Sequence, residues 1–338
     1  MPFLRRGSAV LVFSVCATLA CSSSSSSDAA KPGDLDATTD APGDASNPDS
    51  SLDVSADSDA PAEAAPIVED VHPQDATAIV AARPYGLAVP SKYDASKPAP
   101  LIVLLHGYGA SGEVQAAYLN LLPTADARGF FLAYPDGTLD KSGSRFWNAT
   151  DACCGDDKTI DDVGYIDAII DDVSAKYHVD PKRVFLMGHS NGGFMSHRYA
   201  CERASRVAAI VSLAGAMWND PTRCTPSQHV AVLQIHGDAD RTILYDGGSI
   251  SGVPYPSAHT TVADWAKMNG CTGALVDTGT SLDLVSDLPG AETKVERYAG
   301  CPGTAVELWT VRGGQHVPAV TTDFGTTTLD FFSAHPKP

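Results

Sequence analysis

Short apolar runs alternate with helix-like stretches from about residue 76 to the end of the chain. The apolar runs predict strands at Tyr85–Val89, Leu101–Leu105, Phe130–Tyr134, Val184–Met187, Ala208–Leu213, Val230–Ile235 and Val306–Val311. They carry Val, Ile and Leu on both faces, as do strands of a buried, mostly parallel sheet. Helices are predicted at Val114–Ala127, Asp161–Tyr177, Gly192–Arg203, Ala258–Met268 and Thr326–Ala334. This alternation predicts an α/β fold with a mostly parallel sheet and helices on both of its faces.

The first 21 residues have the pattern of an export signal. Arg5 and Arg6 precede the apolar run Ser8 to Ala20, which is too short to span a bilayer but fits the core of a signal peptide. The run ends at Cys21 in a pattern that resembles a bacterial lipoprotein site, where the cysteine is acylated. An ordinary secretory peptide is the alternative, since Thr18 stands where an aliphatic residue is usual. Both predict a secreted, periplasmic or outer-surface protein, and only the lipoprotein alternative adds a membrane contact, through a lipid on Cys21.

Residues 22–75 are dominated by Ser, Asp, Ala and Pro and carry 13 acidic residues against the single Lys31. Such a segment buries too little apolar surface to offset its ordering entropy, so we predict a disordered linker before a folded domain at 76–338. The formal charge of the whole chain is −18. Because an anionic surface repels phosphate backbones, no nucleic-acid partner is expected.

A G-x-S-x-G pentapeptide at 188–192 carries the main chemical signal. It follows the predicted strand Val184–Met187 and opens the next helix, which is the strand–turn–helix setting of a nucleophile elbow centred on Ser190. A glycine-rich turn without chemistry is the alternative. A serine hydroxyl becomes an effective nucleophile only when a base takes its proton and an acid orients that base.

Two later strands end beside residues that can supply the base and the acid. The strand Val230–Ile235 leads to Asp240, and the strand Val306–Val311 leads to His316. The order Ser, acid, His along the chain is that of α/β-hydrolases, so Asp240 and His316 are the predicted partners of Ser190.

Three further residues compete for these two roles. Asp238 is the rival acid, although a turn-forming Asx residue is also expected at this position. His259 and His335 are rival bases, but both fall in predicted helices and are expected on the surface.

The segment after the strand Leu101–Leu105 predicts an oxyanion hole, which needs two backbone N–H donors. We expect these donors at Tyr108 and at Asn191, with His106 as a structural residue of the loop. The same loop contains a formal G-x-G-x-x-G, the dinucleotide fingerprint, but the acidic residue expected about 20 positions later is missing and Glu113 would repel a pyrophosphate. The chain also lacks C-x₂-C and H-E-x-x-H motifs, so neither a cofactor nor a metal is expected.

These residues together resemble the secreted polyhydroxybutyrate depolymerase and feruloyl esterase family, which is related to carbohydrate esterase family 1. The resemblance covers roughly residues 76–335 and rests on these motifs: Leu-His-Gly-Tyr-Gly at 105–109, Tyr-Pro-Asp-Gly-Thr at 134–138, Trp-Asn at 147–148, Cys-Cys-Gly at 153–155, Asp-Asp-Val-Gly-Tyr at 161–165, Gly-His-Ser-Asn-Gly-Gly at 188–193, His-Gly at 236–237 and Gly-Gly-Gln-His at 313–316. It implies an α/β-hydrolase fold, hydrolysis of carboxylic esters through an acyl-enzyme, and Ser190, Asp240 and His316 as the triad.

The substrate implied by the resemblance is a feruloyl or acetyl ester of plant polysaccharide, or a polyhydroxyalkanoate ester. Two departures from the family pattern, Gln315 in place of a glycine and Ile243-Leu244-Tyr245 in place of Val-Pro-Tyr, bear on which of these esters fits. Trp147 and His189 are the predicted substrate contacts, with a buried core position as the alternative for Trp147. We expect a monomer, and a non-catalytic surface lipoprotein built on a hydrolase scaffold is the competing interpretation.

Six cysteines lie beyond the signal region, and an even number in an exported protein predicts disulfides. Six cysteines allow 15 pairings, among which the residues alone do not choose. The resemblance implies pairs Cys271–Cys301 and Cys201–Cys224, leaving Cys153 and Cys154 to each other or to rearranged partners.

Overall fold

The structure, a computed structural model, describes residues 73–154, 157 and 159–338. The predicted signal peptide at 1–21 lies outside the described residues, as does almost all of the predicted linker at 22–75. A helix, Pro73–Ala82, begins within the last residues of that linker range. Among the described residues, none of the helices has both the length and the apolar character needed to cross a bilayer.

The helices are α1 Pro73–Ala82, α2 Gly112–Tyr118, α3 Leu121–Arg128, α4 Asp162–Lys176, α5 Asn191–Glu202, α6 Ala258–Met268 and α7 Thr322–Ala334. The strands are β1 Tyr85–Ala88, β2 Ala99–Leu105, β3 Phe131–Pro135, β4 Thr138–Leu139, β5 Arg145–Phe146, β6 Val179–His189, β7 Ala209–Leu213, β8 Ala231–Gly237, β9 Gly248–Ile250, β10 Val253–Tyr255, β11 Leu275–Leu282, β12 Thr293–Tyr298 and β13 Val306–Val311. A 3₁₀ turn covers Pro221–Arg223.

Nine strands form one sheet in the order β1-β3-β2-β6-β7-β8-β13-β12-β11, and β4–β5 and β9–β10 form two short hairpins. The six strands from β3 to β13 in that order run parallel. β1 pairs antiparallel with β3, β12 pairs antiparallel with β13, and β11 pairs antiparallel with β12. Alternate residues of β2 enter opposite cores: Val103 packs with α4, α5 and α6, and Leu104 packs with α2, α3 and α7. The predicted α/β-hydrolase architecture, with helices on both faces, is confirmed.

All seven predicted strands are present, and the ends of six of them lie within two residues of the prediction, whereas β6 begins at Val179, five residues before the predicted Val184. One predicted helix is wrong. Val114–Ala127 is not continuous, because Asn120 adopts a left-handed conformation (φ 50°, ψ 37°) that separates α2 from α3. Pro123 is tolerated because it lies in the first turn of α3, where its missing N–H has no intrahelical partner to lose. The last helix begins at Thr322, earlier than the predicted Thr326.

The sequence pattern did not reveal α1, β11 and β12. β11 is exposed along nearly its whole length and is interrupted by an irregularity between Asp277 and Ser281, so it shows no apolar alternation. β12 does alternate, with Thr293 and Val295 buried, but the signal covers only one face of a short strand. The strands β12 and β11 extend the sheet beyond β13 and leave the centre of the sheet as predicted.

Candidate active site

Ser190 occupies the turn between β6 and α5 and has φ 53° and ψ −120°, a backbone conformation that is strained for a residue with a side chain. Two glycines make this turn sterically possible. A Cβ on Gly188 would overlap the carbonyl of Gly192, and a Cβ on Gly192 would overlap the carbonyl of Leu105. The turn therefore places the hydroxyl of Ser190 at the carboxyl edge of the sheet, as a nucleophile elbow requires.

The structure brings Ser190, His316 and Asp240 together in one hydrogen-bonded row. Ser190 Oγ lies 2.9 Å from His316 Nε2, and His316 Nδ1 lies 2.7 Å from Asp240 Oδ2. The carboxylate can only accept, so the ring proton of His316 is on Nδ1 and the Nε2 lone pair faces the hydroxyl. The side chain of His316 is 15% exposed and that of Asp240 is fully buried. This geometry can move a proton from the serine to the imidazole.

Asp240 is held by hydrogen bonds from several directions. Its Oδ1 accepts from the backbone N–H groups of Thr242 and Ile243, and its Oδ2 lies 3.4 Å from His236 Nε2 as well as next to His316. Burial alone would raise the pKa of Asp240, but the hydrogen bonds from His236 and His316 outweigh it and hold the pKa well below its ordinary value. The carboxylate is therefore ionised at neutral pH.

None of the three rival residues reaches Ser190. Asp238 is exposed and accepts a 2.6 Å hydrogen bond from the N–H of Gly313, so it connects the acid loop to the loop that carries His316. His259 is exposed on α6 and contacts Tyr245, and His335 lies just beyond the end of α7.

The predicted oxyanion donors come from two elements next to the nucleophile, the start of α5 and the β2–α2 loop. Asn191 is the first residue of α5, where the N–H has no partner within the helix. In the β2–α2 loop, the N–H groups of Gly107, Gly109 and Ala110 have acceptors, whereas the described residues give the N–H of Tyr108 none. This loop lies against the elbow, since a Cβ on Gly107 would be 3.5 Å from Ser190 Cβ. Both N–H groups are thus available to a ligand.

Trp147 does not line the cleft, contrary to its assignment as a substrate contact. Its side chain is fully buried, and its indole N–H donates to the carbonyl of His106 at 3.0 Å. Its backbone N–H donates to the side chain of Asn191 at 2.6 Å. The ring of Trp147 therefore fills a core position instead of contacting solvent. Its two N–H groups connect the β2–α2 loop to α5.

His189 also differs from its assignment as a substrate contact. It is 6% exposed, and its Nε2 lies 2.8 Å from the carbonyl oxygen of His316, to which it must donate. Burial, together with the nearby His316, lowers the pKa of His189 to about 3. A neutral ring that donates to this carbonyl holds the backbone of the His316 loop.

Four buried polar residues next to this site were missed as a group by the sequence analysis. They are His236, Gln234, His197 and Trp265, on β8, α5 and α6. The available signal was a glutamine and a histidine inside the otherwise apolar run of β8, because polar side chains are buried in a sheet only with partners.

The cysteines pair as the resemblance implied. Disulfides join Cys201 to Cys224 and Cys271 to Cys301, which confirms both predicted pairs. Cys153 and Cys154 are free thiols whose sulfur atoms lie 3.4 Å apart, and Cys153 Sγ is 3.5 Å from the side-chain amide of Asn191.

Comparison with known proteins agrees with this fold. The family model for the alpha/beta hydrolase fold matches residues 100–241. Feruloyl esterase B of Piromyces equi is 31% identical over 67% of this chain and 41% of its own length. A probable feruloyl esterase C of Aspergillus flavus is 30% identical over 64% of this chain and 74% of its own length.

Among solved structures, the acetyl xylan esterase from Aspergillus awamori superposes with a TM-score of 0.53 at 16% identity, over 73% of this chain and 92% of its own, which shows a common fold. The chain spans less than half of the length of the Piromyces relative. The Aspergillus flavus relative is matched over most of its length. The chain therefore belongs to the feruloyl esterase-like family of α/β-hydrolases.

Proposed function

We propose that this chain is a serine esterase that hydrolyses carboxylic esters through an acyl-enzyme. The observation that carries the proposal is the row Ser190–His316–Asp240, in which both hydrogen bonds are shorter than 3 Å. The names of the relatives, feruloyl esterases, support the same reaction class. A non-catalytic scaffold would not need a strained serine in hydrogen-bond contact with a histidine and a buried carboxylate.

The geometry gives each residue a step. Ser190 Oγ attacks the ester carbonyl carbon while its proton passes to His316 Nε2, and Asp240 stabilises the imidazolium that forms. The N–H groups of Tyr108 and Asn191 donate to the oxyanion of the tetrahedral intermediate. The imidazolium then gives its proton to the leaving alcohol. Water, deprotonated by His316, releases the acid from Ser190 in a second round.

We propose feruloyl esters of plant polysaccharide as the substrate class, since several relatives that are about 30% identical over roughly two thirds of this chain are named feruloyl esterases. Acetyl esters and polyhydroxyalkanoate esters use the same chemistry and are the competing substrates. Purified protein is to be assayed with methyl ferulate, p-nitrophenyl acetate and a hydroxybutyrate oligomer, with the Ser190→Ala variant as the control. The proposal predicts the highest kcat/KM for methyl ferulate. A preference for either of the other two esters would reassign the substrate. If no ester is turned over in a Ser190-dependent way, the chain is not an esterase.

We also propose that the chain is exported, as the oxidised pairs Cys201–Cys224 and Cys271–Cys301 favour. Attachment through an acylated Cys21 lies outside the described residues and stays a prediction, as does a monomeric state with the ester as its only partner. In a bacterial host, Cys21→Ser would move the protein from the membrane fraction to the soluble fraction. Equal fractionation of both forms would exclude the anchor.

A further inference from the structure

Asp240 faces two histidines. Its Oδ2 is 2.7 Å from His316 Nδ1 and 3.4 Å from His236 Nε2, and His236 is only 1% exposed. Either ring could become an imidazolium paired with this carboxylate. Only His316 contacts Ser190. A proton on His236 would therefore pair the Asp240 carboxylate with an imidazolium that takes no part in the reaction, and would weaken its stabilisation of the transition state. The reaction therefore requires that His236 stays neutral.

A buried chain of hydrogen bonds fixes where the protons are, and it begins at Trp265. An indole N–H can only donate, so His197 Nδ1, 3.0 Å away, is the acceptor. Burial lowers the pKa of His197 to about 4, so this ring is neutral and carries its one proton on Nε2. That proton is donated to Gln234 Oε1 at 3.0 Å. If the Gln234 amide were turned over, its N–H groups would face the Nε2–H of His197, and neither group could accept a hydrogen bond.

The fixed orientation of Gln234 determines the tautomer of His236. Gln234 Nε2 donates to the carbonyl of Gly215 at 2.8 Å and lies 3.3 Å from His236 Nδ1. An amide nitrogen accepts no hydrogen bond, so His236 Nδ1 must be the unprotonated acceptor. The single proton of His236 is then on Nε2, where it is shared by the carbonyl of Ile243 at 2.8 Å and by Asp240.

We propose that Gln234 is a positioning residue that keeps a second proton off His236, so that the charge of Asp240 is reserved for His316. Protonating His236 at Nδ1 would turn its contact with Gln234 into two opposed N–H groups inside the core. Besides Asp240, the titratable groups near His236 in the described part of the chain include Tyr245, whose ring centroid lies 5.6 Å from that of His236, and His189, which packs against His316. This inference rests on the proposed esterase reaction and assigns a role that the triad alone does not contain.

The test is the pH dependence of kcat/KM in Gln234→Met, which keeps the length of the side chain and removes its N–H groups. Because His236 can then bind a second proton beside Asp240, the acid limb should move to higher pH by about half a unit to one unit. Asn269→Leu is the matched control. Asn269 is another fully buried amide, bonded to the backbone of Val230, and its loss should lower stability without moving the acid limb.

A double-mutant cycle with His236→Phe shows whether the shift acts through His236. In that background, Gln234→Met should leave the acid limb where His236→Phe alone places it. A shift that persists there, or a Gln234→Met profile that is lower at every pH without a shift, would overturn the proposal. Absence of any Ser190-dependent turnover in the wild-type protein would instead refute the esterase reaction, so the two failures are distinguishable.

A second measurement needs no variant and covers the case in which Gln234→Met does not fold. In ¹⁵N NMR spectra of the wild-type protein with labelled histidines, His236 should show the signature of the neutral Nε2–H tautomer under the conditions of the activity assay. An Nδ1–H tautomer or an imidazolium at His236 under those conditions would contradict the proposal.

Discussion

Asp240 lies between two histidines, His316 on the side of the nucleophile and His236 on the side of the core, and the two rings have different surroundings. On its open side, His316 is partly exposed and contacts the hydroxyl of Ser190. On its buried side, His236 is almost inaccessible and is connected through Gln234 to the core. A histidine beside this carboxylate therefore acts as a base only where its second nitrogen faces the substrate side, as in His316, and not where both nitrogens have partners in the core, as in His236.

The largest expected effect is on the open side. His316→Ala removes the base, so kcat should fall about 10⁶-fold, as when a whole triad is disabled. His259→Ala is the matched control, because His259 is exposed and its hydrogen bond is to Tyr245, not to Ser190 or Asp240. Steady-state kinetics with the best ester measures both. Retention of more than about a hundredth of the activity in His316→Ala would place the base elsewhere.

Replacing the carboxylate that both regions share should have a smaller effect. Asp240→Asn removes the charge that stabilises the imidazolium and offers an N–H to His316, so kcat should fall about 10⁴-fold. Asp238→Asn keeps an acceptor for the N–H of Gly313 and should cost less than about tenfold. If the two variants lose similar activity, Asp238 and Asp240 have been assigned the wrong roles.

On the buried side, replacing His197 should change the pH dependence of the free energy of unfolding more than it changes the rate of catalysis. The folded protein keeps His197 neutral down to about pH 4, whereas the unfolded chain takes up a proton near pH 6.5. The unfolded state therefore binds more protons between these values, and the free energy of unfolding falls as the pH is lowered, by up to about 1.4 kcal/mol per pH unit.

Denaturant titrations between pH 7 and pH 4 measure this slope. In His197→Gln the slope should be shallower by up to one proton, while replacing the exposed His229 by Gln should leave it unchanged. An identical slope in all three proteins would mean that the burial of His197 does not control its protonation.

The sequence alone located Ser190, Asp240 and His316 because each follows a strand whose apolar run is readable, and the carboxyl ends of parallel strands meet at one edge. It did not reveal that Trp147 and His189 are buried, since burial depends on which loops pack over them. It also missed the role of Gln234: a glutamine inside the apolar run of β8 signals a buried polar group, but it does not show that the partner is His197 on α5. Charge and tautomer are properties of the assembled core.

Whether Ser190 is the nucleophile is tested by covalent labelling of the folded protein with a fluorophosphonate, followed by peptide mass spectrometry. We predict one adduct on Ser190, formed rapidly at neutral pH and strongly slowed in His316→Ala. Folded protein that stays unlabelled, or an adduct on another residue, would contradict it.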